Sequence, residues 1–260
     1  MKAGTTSISA ALDSHPAVFM CSPKEPQFFT TRWDRGLTWY ESLFDPAGDA
    51  LARGDASTSY TDFPRKPEAA QRMVEIVPDI KLVYVVREPV ARMRSHYRHR
   101  VADGLESRPV DDALLDDRYV RRSCYALQIE QYLRHFPESQ LLVLEGQDLL
   151  SGGPSWGRLF EFIGVPPLPE TPTTPHANQA EARLQLRPGT RALRQRVKGS
   201  AVYRLTPHRL RSTARHFGAR AHTENDAAEV TPDLRATITA RLGEDMSRFA
   251  EMTGIRFSAN

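Results

Sequence analysis

The stretch that most limits the possible folds is Leu82-Val83-Tyr84-Val85-Val86, an unbroken apolar run rich in β-branched residues that gives way at once to Arg87-Glu88-Pro89 and a helical pattern through Val101. A strand without polar alternation needs apolar cover on both faces, the environment of a parallel strand in an α/β sheet. Pro89 suits the first turn of the helix that follows, because the N–H it lacks is one that a helix start leaves unbonded anyway. Gln140 to Leu144 reads as a second buried strand and Ala17 to Cys21 as a short third one. The fold class expected is therefore α/β, with three layers and a central parallel sheet flanked by helices.

In such sheets ligands bind beyond the carboxyl ends of the strands. Arg87 stands at that end, and Ser95 lies two turns into the next helix, so a guanidinium and a hydroxyl can converge on one anion. A second anion site is written into Lys2-Ala3-Gly4-Thr5-Thr6-Ser7, which runs directly into the helical pattern Ile8 to Leu12. N–H groups at a helix start have no intrahelical acceptor and carry the positive end of the helix dipole. Gly4 lets the backbone approach a ligand closely, Lys2 adds a point charge, and Thr5, Thr6 and Ser7 add hydroxyl donors. The turn is not a Walker A loop, whose lysine follows the second glycine, whereas Lys2 precedes Gly4.

Lys-x-Gly-Thr-Thr at the start, with strand-Arg-x-Pro-(x5)-Ser-x-Tyr about 80 residues later, resembles the sulfotransferases that use 3′-phosphoadenosine 5′-phosphosulfate (PAPS). Lys24-Glu25-Pro26-Gln27-Phe28-Phe29 is similar to the Glu-x-x-Phe-Phe segment of bacterial and heparan-type members. The resemblance implies a P-loop-like fold and PAPS as co-substrate. It implies that Lys2, Gly4, Thr5, Thr6 and Ser7 hold the 5′-phosphosulfate and that Arg87 and Ser95 hold the 3′-phosphate. Lys2 then offsets charge on the leaving oxygen, Glu25 is the general base, and no metal is required. Two departures accompany it. The lysine that precedes Ser-x-x-Tyr in heparan-type members is Ala56 here, and the strand that relatives place before the phosphosulfate loop has no residues ahead of Met1 to form it. The natural start is accordingly expected upstream.

With 260 residues and 40% hydrophobic content, one α/β domain over residues 1–260 is expected. Cys21 and Cys124 fall in unrelated apolar neighbourhoods and read as buried thiols rather than a disulfide or metal site. No apolar stretch is long enough to cross a bilayer and no signal peptide is evident, which points to the cytoplasm. Net charge is +3, but the stretch from Arg183 to Arg220 holds eleven Lys/Arg and no Asp or Glu. Such a surface serves an anionic acceptor or the nucleotide, or is simply solvated; with only Tyr203 and Phe217 as aromatics it fits nucleic acid poorly.

Elsewhere, the aromatics of Asp34 to Phe44 fall at helical spacing and read as core, Pro67 to Val77 as an amphipathic helix, and Gly104 to Asp117 as a polar lid or acceptor loop. His96 and His99 read as part of a solvated helix face. Tyr125, Ile129, Tyr132 and Phe136 make one helical stripe, and Gly164 ends a helix that includes Leu159 to Ile163. Five prolines between Val165 and Pro175 forbid a helix there. Thr231-Pro232 starts a last helix whose face is Leu234, Ile238, Leu242, Met246 and Phe249, with Gly254 at its end. The acceptor expected is a small molecule or glycan. A P-loop kinase using ATP and a polyanion-binding protein with a vestigial nucleotide site are the alternatives.

Overall fold

The computed structural model describes residues 2–172, 185–186, 219–220 and 229–257. In chain order the first half holds α1 (Thr5–Asp13), β1 (Val18–Met20), α2 (Leu37–Ser42), β2 (Ala52–Gly54), α3 (Ala69–Ile76), β3 (Leu82–Val86) and α4 (Pro89–Ala102). Then come α5 (Val110–Leu114), α6 (Asp117–Val120), α7 (Tyr125–Leu133), β4 (Leu141–Glu145), α8 (Gly146–Leu150), α9 (Ser155–Ile163) and α10 (Pro232–Thr253). Of the basic stretch, only Gln185–Leu186 and its antiparallel partner Ala219–Arg220 are described. The remaining expectations for 183–220, and the end of the proline-rich crossing, lie outside the described residues.

The expected parallel strands form, in two pairs. β1 lies beside β2 with Val18 opposite Ala52, and β3 lies beside β4 with Leu82 opposite Leu141 and Val86 opposite Glu145. A 710 Å³ cavity has Ala52 to Asp55 on its wall together with Leu82 to Val85, and Ile8 and Leu12 of α1 also line it. This explains why β3 is less covered than its composition predicts: Val83 is 36% exposed, and only Val86, at the end where Arg87 follows, is fully enclosed.

Local chemistry accounts for the helix limits. Both Glu88 carboxylate oxygens accept N–H bonds at the start of α4, from Val90 at 2.9 Å and Ala91 at 2.6 Å, with Pro89 in the first turn. Thr231 Oγ1 accepts from Leu234 N at 3.2 Å to start α10, and Gly164 and Gly254 end α9 and α10 in the left-handed conformation at φ 79° and 73°. The stripe Tyr125, Ile129, Tyr132 and Phe136 is buried throughout, and Tyr40 stacks on Phe28 at 4.4 Å inside an aromatic core.

Two expectations are corrected. His96 is buried, not solvated: its ring lies 4.8 Å from that of Tyr119, and its neighbour one turn back, Arg92, is buried with it. Arg92 reaches this position because its Nε donates to Ser123 Oγ at 2.6 Å and its Nη2 to the Tyr119 carbonyl at 2.7 Å. The segment expected as a polar loop contains α5, whose Ala113 and Leu114 pack in the core with Val90, Met93 and Leu234. That loop is correspondingly shorter.

The last helix does more than cover apolar surface. Asp245 on α10 accepts from Ala126 N at 3.1 Å and Leu127 N at 2.9 Å, supplying α7 with a cap from far along the chain, and Phe249 packs 5.4 Å from Tyr125. Cys21 and Cys124 are free, and burial pushes their thiols up to about 12 and about 11. Among the described residues no helix is long and apolar enough to cross a membrane.

Candidate functional site

The turn before α1 is shaped by two left-handed residues, Lys2 at φ 68° and Gly4 at φ 93°. Gly4 is the N-cap of α1 and no side chain caps it, so the N–H groups of Thr5 and Thr6 are left for a ligand or solvent. The Gly4 carbonyl closes the first turn, accepting from Ser7 N at 3.0 Å and Ile8 N at 3.1 Å. Ser7 is buried under the turn, Thr6 is exposed, and Lys2 and Thr5 are half-buried.

What holds this turn is a glycine with no chemistry of its own. Gly146, the residue after β4, lies so near that a Cβ on it would overlap the Ala3 carbonyl oxygen, and Gly4 similarly meets Leu150 of α8. Because Glu145 is paired with Val86, Gly146 and Arg87 leave neighbouring strands at the same end. The Lys2 to Ser7 turn and Arg87 are thus brought to one carboxyl edge, where parallel α/β sheets bind ligands. The Arg87 carbonyl accepts from Tyr125 OH at 2.6 Å, and Ser95 is half-buried on α4. Burial, with Arg92, Arg122 and Arg100 nearby, lowers the His96 pKa to about 2, so the imidazole stays neutral.

The other side of the site follows β1 and β2. Glu25 Oε1 is 3.3 Å from Lys24 Nζ, and Oε2 accepts from Thr58 Oγ1 at 3.0 Å, which ties the loop after β1 to the loop after β2. A few residues on, Ser57 Oγ accepts from Gln27 N at 2.8 Å, with Gln27 in the left-handed region at φ 55°. Ser57 in turn donates to Asp55 Oδ1 from its N at 2.9 Å and its Oγ at 2.7 Å. Asp55 Oδ2 accepts from Tyr60 OH at 2.5 Å and Tyr40 OH at 3.3 Å. Burial pushes the Asp55 carboxyl up against the opposing pull of these donors, and both phenols are pushed up by burial and by Asp55.

Thr5, Asp55, Ser57 and Thr58 line the same cavity, so the two sides face a common space. Of the residues nominated from sequence, only Thr5 lines this cavity; Arg87 follows the end of β3, Glu25 lies in the loop after β1, and Ser95 is two turns into α4. Asp55, Ser57 and Thr58 were missed as contributors. Their one signal is the run Asp55-Ala56-Ser57-Thr58-Ser59-Tyr60, dense in hydroxyls directly after a strand.

The sulfotransferase domain family matches residues 1–181. Heparan sulfate glucosamine 3-O-sulfotransferase 6 of Homo sapiens is 34% identical over 177 residues, covering 63% of this chain and 50% of that protein. Bifunctional heparan sulfate N-deacetylase/N-sulfotransferase 4 of Mus musculus is 29% identical over 203 residues, covering 70% of this chain and 22% of that protein. The chain thus spans half the length or less of these curated relatives. The crystal structure of a sulfotransferase from Alicyclobacillus acidocaldarius superposes with a TM-score of 0.67 at 22% identity, over 99% of this chain and 94% of that one, and shows the same fold.

Proposed function

Because the chain belongs to the sulfotransferase domain family, we propose that it transfers a sulfuryl group from PAPS to a hydroxyl or amine of a carbohydrate, lipid or secondary-metabolite acceptor. The observation that carries this reading is the seat of Ala3 against Gly146, which sets the uncapped start of α1 beside the strand end that bears Arg87. Two anion sites on one edge fit a ligand with phosphate groups at both ends of a nucleoside.

In this reading the Thr5 and Thr6 N–H groups and the Lys2 ammonium take the 5′-phosphosulfate, and Arg87 and Ser95 take the 3′-phosphate. Charge grows on the bridging oxygen as the sulfuryl group leaves, and Lys2 is the point charge placed to offset it. Glu25 takes the acceptor proton. Its two oxygens have one donor each from Lys24 and Thr58, which leaves lone pairs for that proton. Ala56 supplies no charge to an acceptor, so we propose one less dependent on cationic contacts than the heparan sulfate named for the relatives.

Thermal shift tests the donor. Adenosine 3′,5′-bisphosphate at 100 times its Kd stabilises a specific binder by about 2.7 kcal/mol. Stabilisation by ATP-Mg but not by the bisphosphate overturns the reading in favour of a kinase. With PAPS supplied, a mass-spectrometric search of pooled hydroxylated metabolites for the gain of one sulfonate identifies the acceptor.

A further inference from the structure

Resting on the assignment of Glu25 as base, we propose that Asp55 is a positioning residue for it, acting through Ser57 and Thr58 to hold the loop after β1 against the loop after β2. Asp55 makes no hydrogen bond to Glu25; its bonds go to Ser57, Tyr60 and Tyr40. Its part is to orient Ser57, by accepting from both the N–H and the hydroxyl of that residue at 2.9 and 2.7 Å. With its proton given to Asp55, the Ser57 oxygen is left facing Gln27 as an acceptor, and it receives the Gln27 N–H at 2.8 Å.

That bond matters because of where Gln27 is. A non-glycine residue at φ 55° persists only when its surroundings hold it there. The Gln27 carbonyl anchors the chain beyond it, accepting from the N–H groups of Thr30, Thr31 and Arg32 at 3.1 to 3.3 Å, and the Ser57 bond pins its other side. Glu25 lies two residues before this pin, and Thr58, the residue after Ser57, donates directly to it at 3.0 Å. The two loops are therefore joined at two rungs, one from Ser57, which Asp55 orients, and one from Thr58, the next residue along the chain. Tyr60 and Tyr40 hold the second Asp55 oxygen, so the carboxylate is fixed from behind by side chains that belong to the aromatic core.

The test uses the full chain and the variants Asp55→Asn, Ser57→Ala and Ser57→Thr. By amide hydrogen exchange, Asp55→Asn and Ser57→Ala are expected to speed exchange of the Gln27 amide about tenfold or more, leaving the Ile8 to Leu12 amides unchanged, while Ser57→Thr, which keeps the oxygen, retains protection. In turnover, the first two are expected to lower kcat about tenfold while the Kd for adenosine 3′,5′-bisphosphate stays within about twofold. In the Glu25→Gln background Asp55→Asn is expected to cost less than about twofold more, since a group acting through another cannot be lost twice. An unmoved Gln27 amide, a full additional loss on top of Glu25→Gln, or nucleotide affinity falling in step with kcat would each overturn the assignment. Ser57→Ala decides the same question if Asp55→Asn does not fold. Absence of sulfuryl transfer by the unaltered chain overturns the functional reading instead, and is recognised because it precedes any comparison of variants.

Discussion

The turn from Lys2 to Ser7 and the segment from Asp55 to Thr58 border the same cavity but are built from different materials. The first is backbone: an uncapped helix start, two left-handed residues, and a glycine opposite that admits the chain. The second is a lattice of side chains in which two carboxylates and four hydroxyl-bearing residues are joined over three stretches of sequence. Backbone donors suit a ligand of invariant charge, since they need no particular side chains. A side-chain lattice suits proton transfer, where the position and ionisation of one group must be held. The difference predicts that damage to the second side is felt as lost turnover alone, whereas damage to the first always costs affinity, with turnover lost too where Lys2 is removed.

The largest effect tests that division most sharply. Glu25→Gln is expected to lower kcat by roughly 10²- to 10⁴-fold with the bisphosphate Kd nearly unchanged, measured by steady-state turnover beside calorimetry. More than about a tenth of the turnover remaining would remove Glu25 from the base role. Lys2→Ala is next, with an expected loss on the order of 3 to 4 kcal/mol at the transition state, and unlike Glu25→Gln it should weaken nucleotide binding as well. Arg87→Ala is expected to weaken the 3′-phosphorylated nucleotide by about 1.5 to 3 kcal/mol while leaving its 3′-dephospho analogue unaffected. Equal losses for both would mean that Arg87 only supports the strand end.

The smallest expected effect separates the two sides by pH. His96 has its pKa lowered from 6.5 to about 2, so below 6.5 the unfolded chain takes the proton first and stability falls as pH falls through that window. Between pH 7.5 and 5 the cost is about 1 to 2 kcal/mol, read as a drop in Tm. His96→Asn should flatten that dependence. An unchanged slope would place the acid-sensitive group elsewhere.

Much of the first side was legible in the sequence because its signals are local. β3, α4 and their junction follow from an apolar run, a proline and a carboxylate at adjacent positions, and the Lys2 to Ser7 turn is contiguous. The stripe on α7 and the caps of α10 are likewise short-range patterns. The lattice was not legible, because Gln27 meets Ser57 and Glu25 meets Thr58 only after β1 and β2 have paired. The burial of Arg92 and His96 was misread for the same kind of reason. Their polarity points outward, and only the carbonyl of Tyr119 and the hydroxyl of Ser123 make the interior acceptable to the guanidinium. Gly146 carries no chemistry to notice, although the approach of Ala3 depends on it.

The bracing of α7 by α10 bears on how the molecule is made. Tyr125 holds the Arg87 carbonyl, Phe249 packs on Tyr125, and Asp245 caps the helix that carries it, so the edge proposed to receive the nucleotide is tied to residues synthesised more than a hundred positions after that helix begins. A nascent polypeptide emerging from the ribosome has β3, α4 and α7 long before it has the helix that steadies α4 and α7. Such sequence-distant contacts are slow to close and leave apolar surface uncovered in the interval. The Tyr125 face and the Val90 to Met93 side of α4 should be the surfaces a chaperone meets, and a stop codon shortly before Pro232 should yield a chain that is synthesised normally yet cleared by proteases, with its anion-binding residues all present.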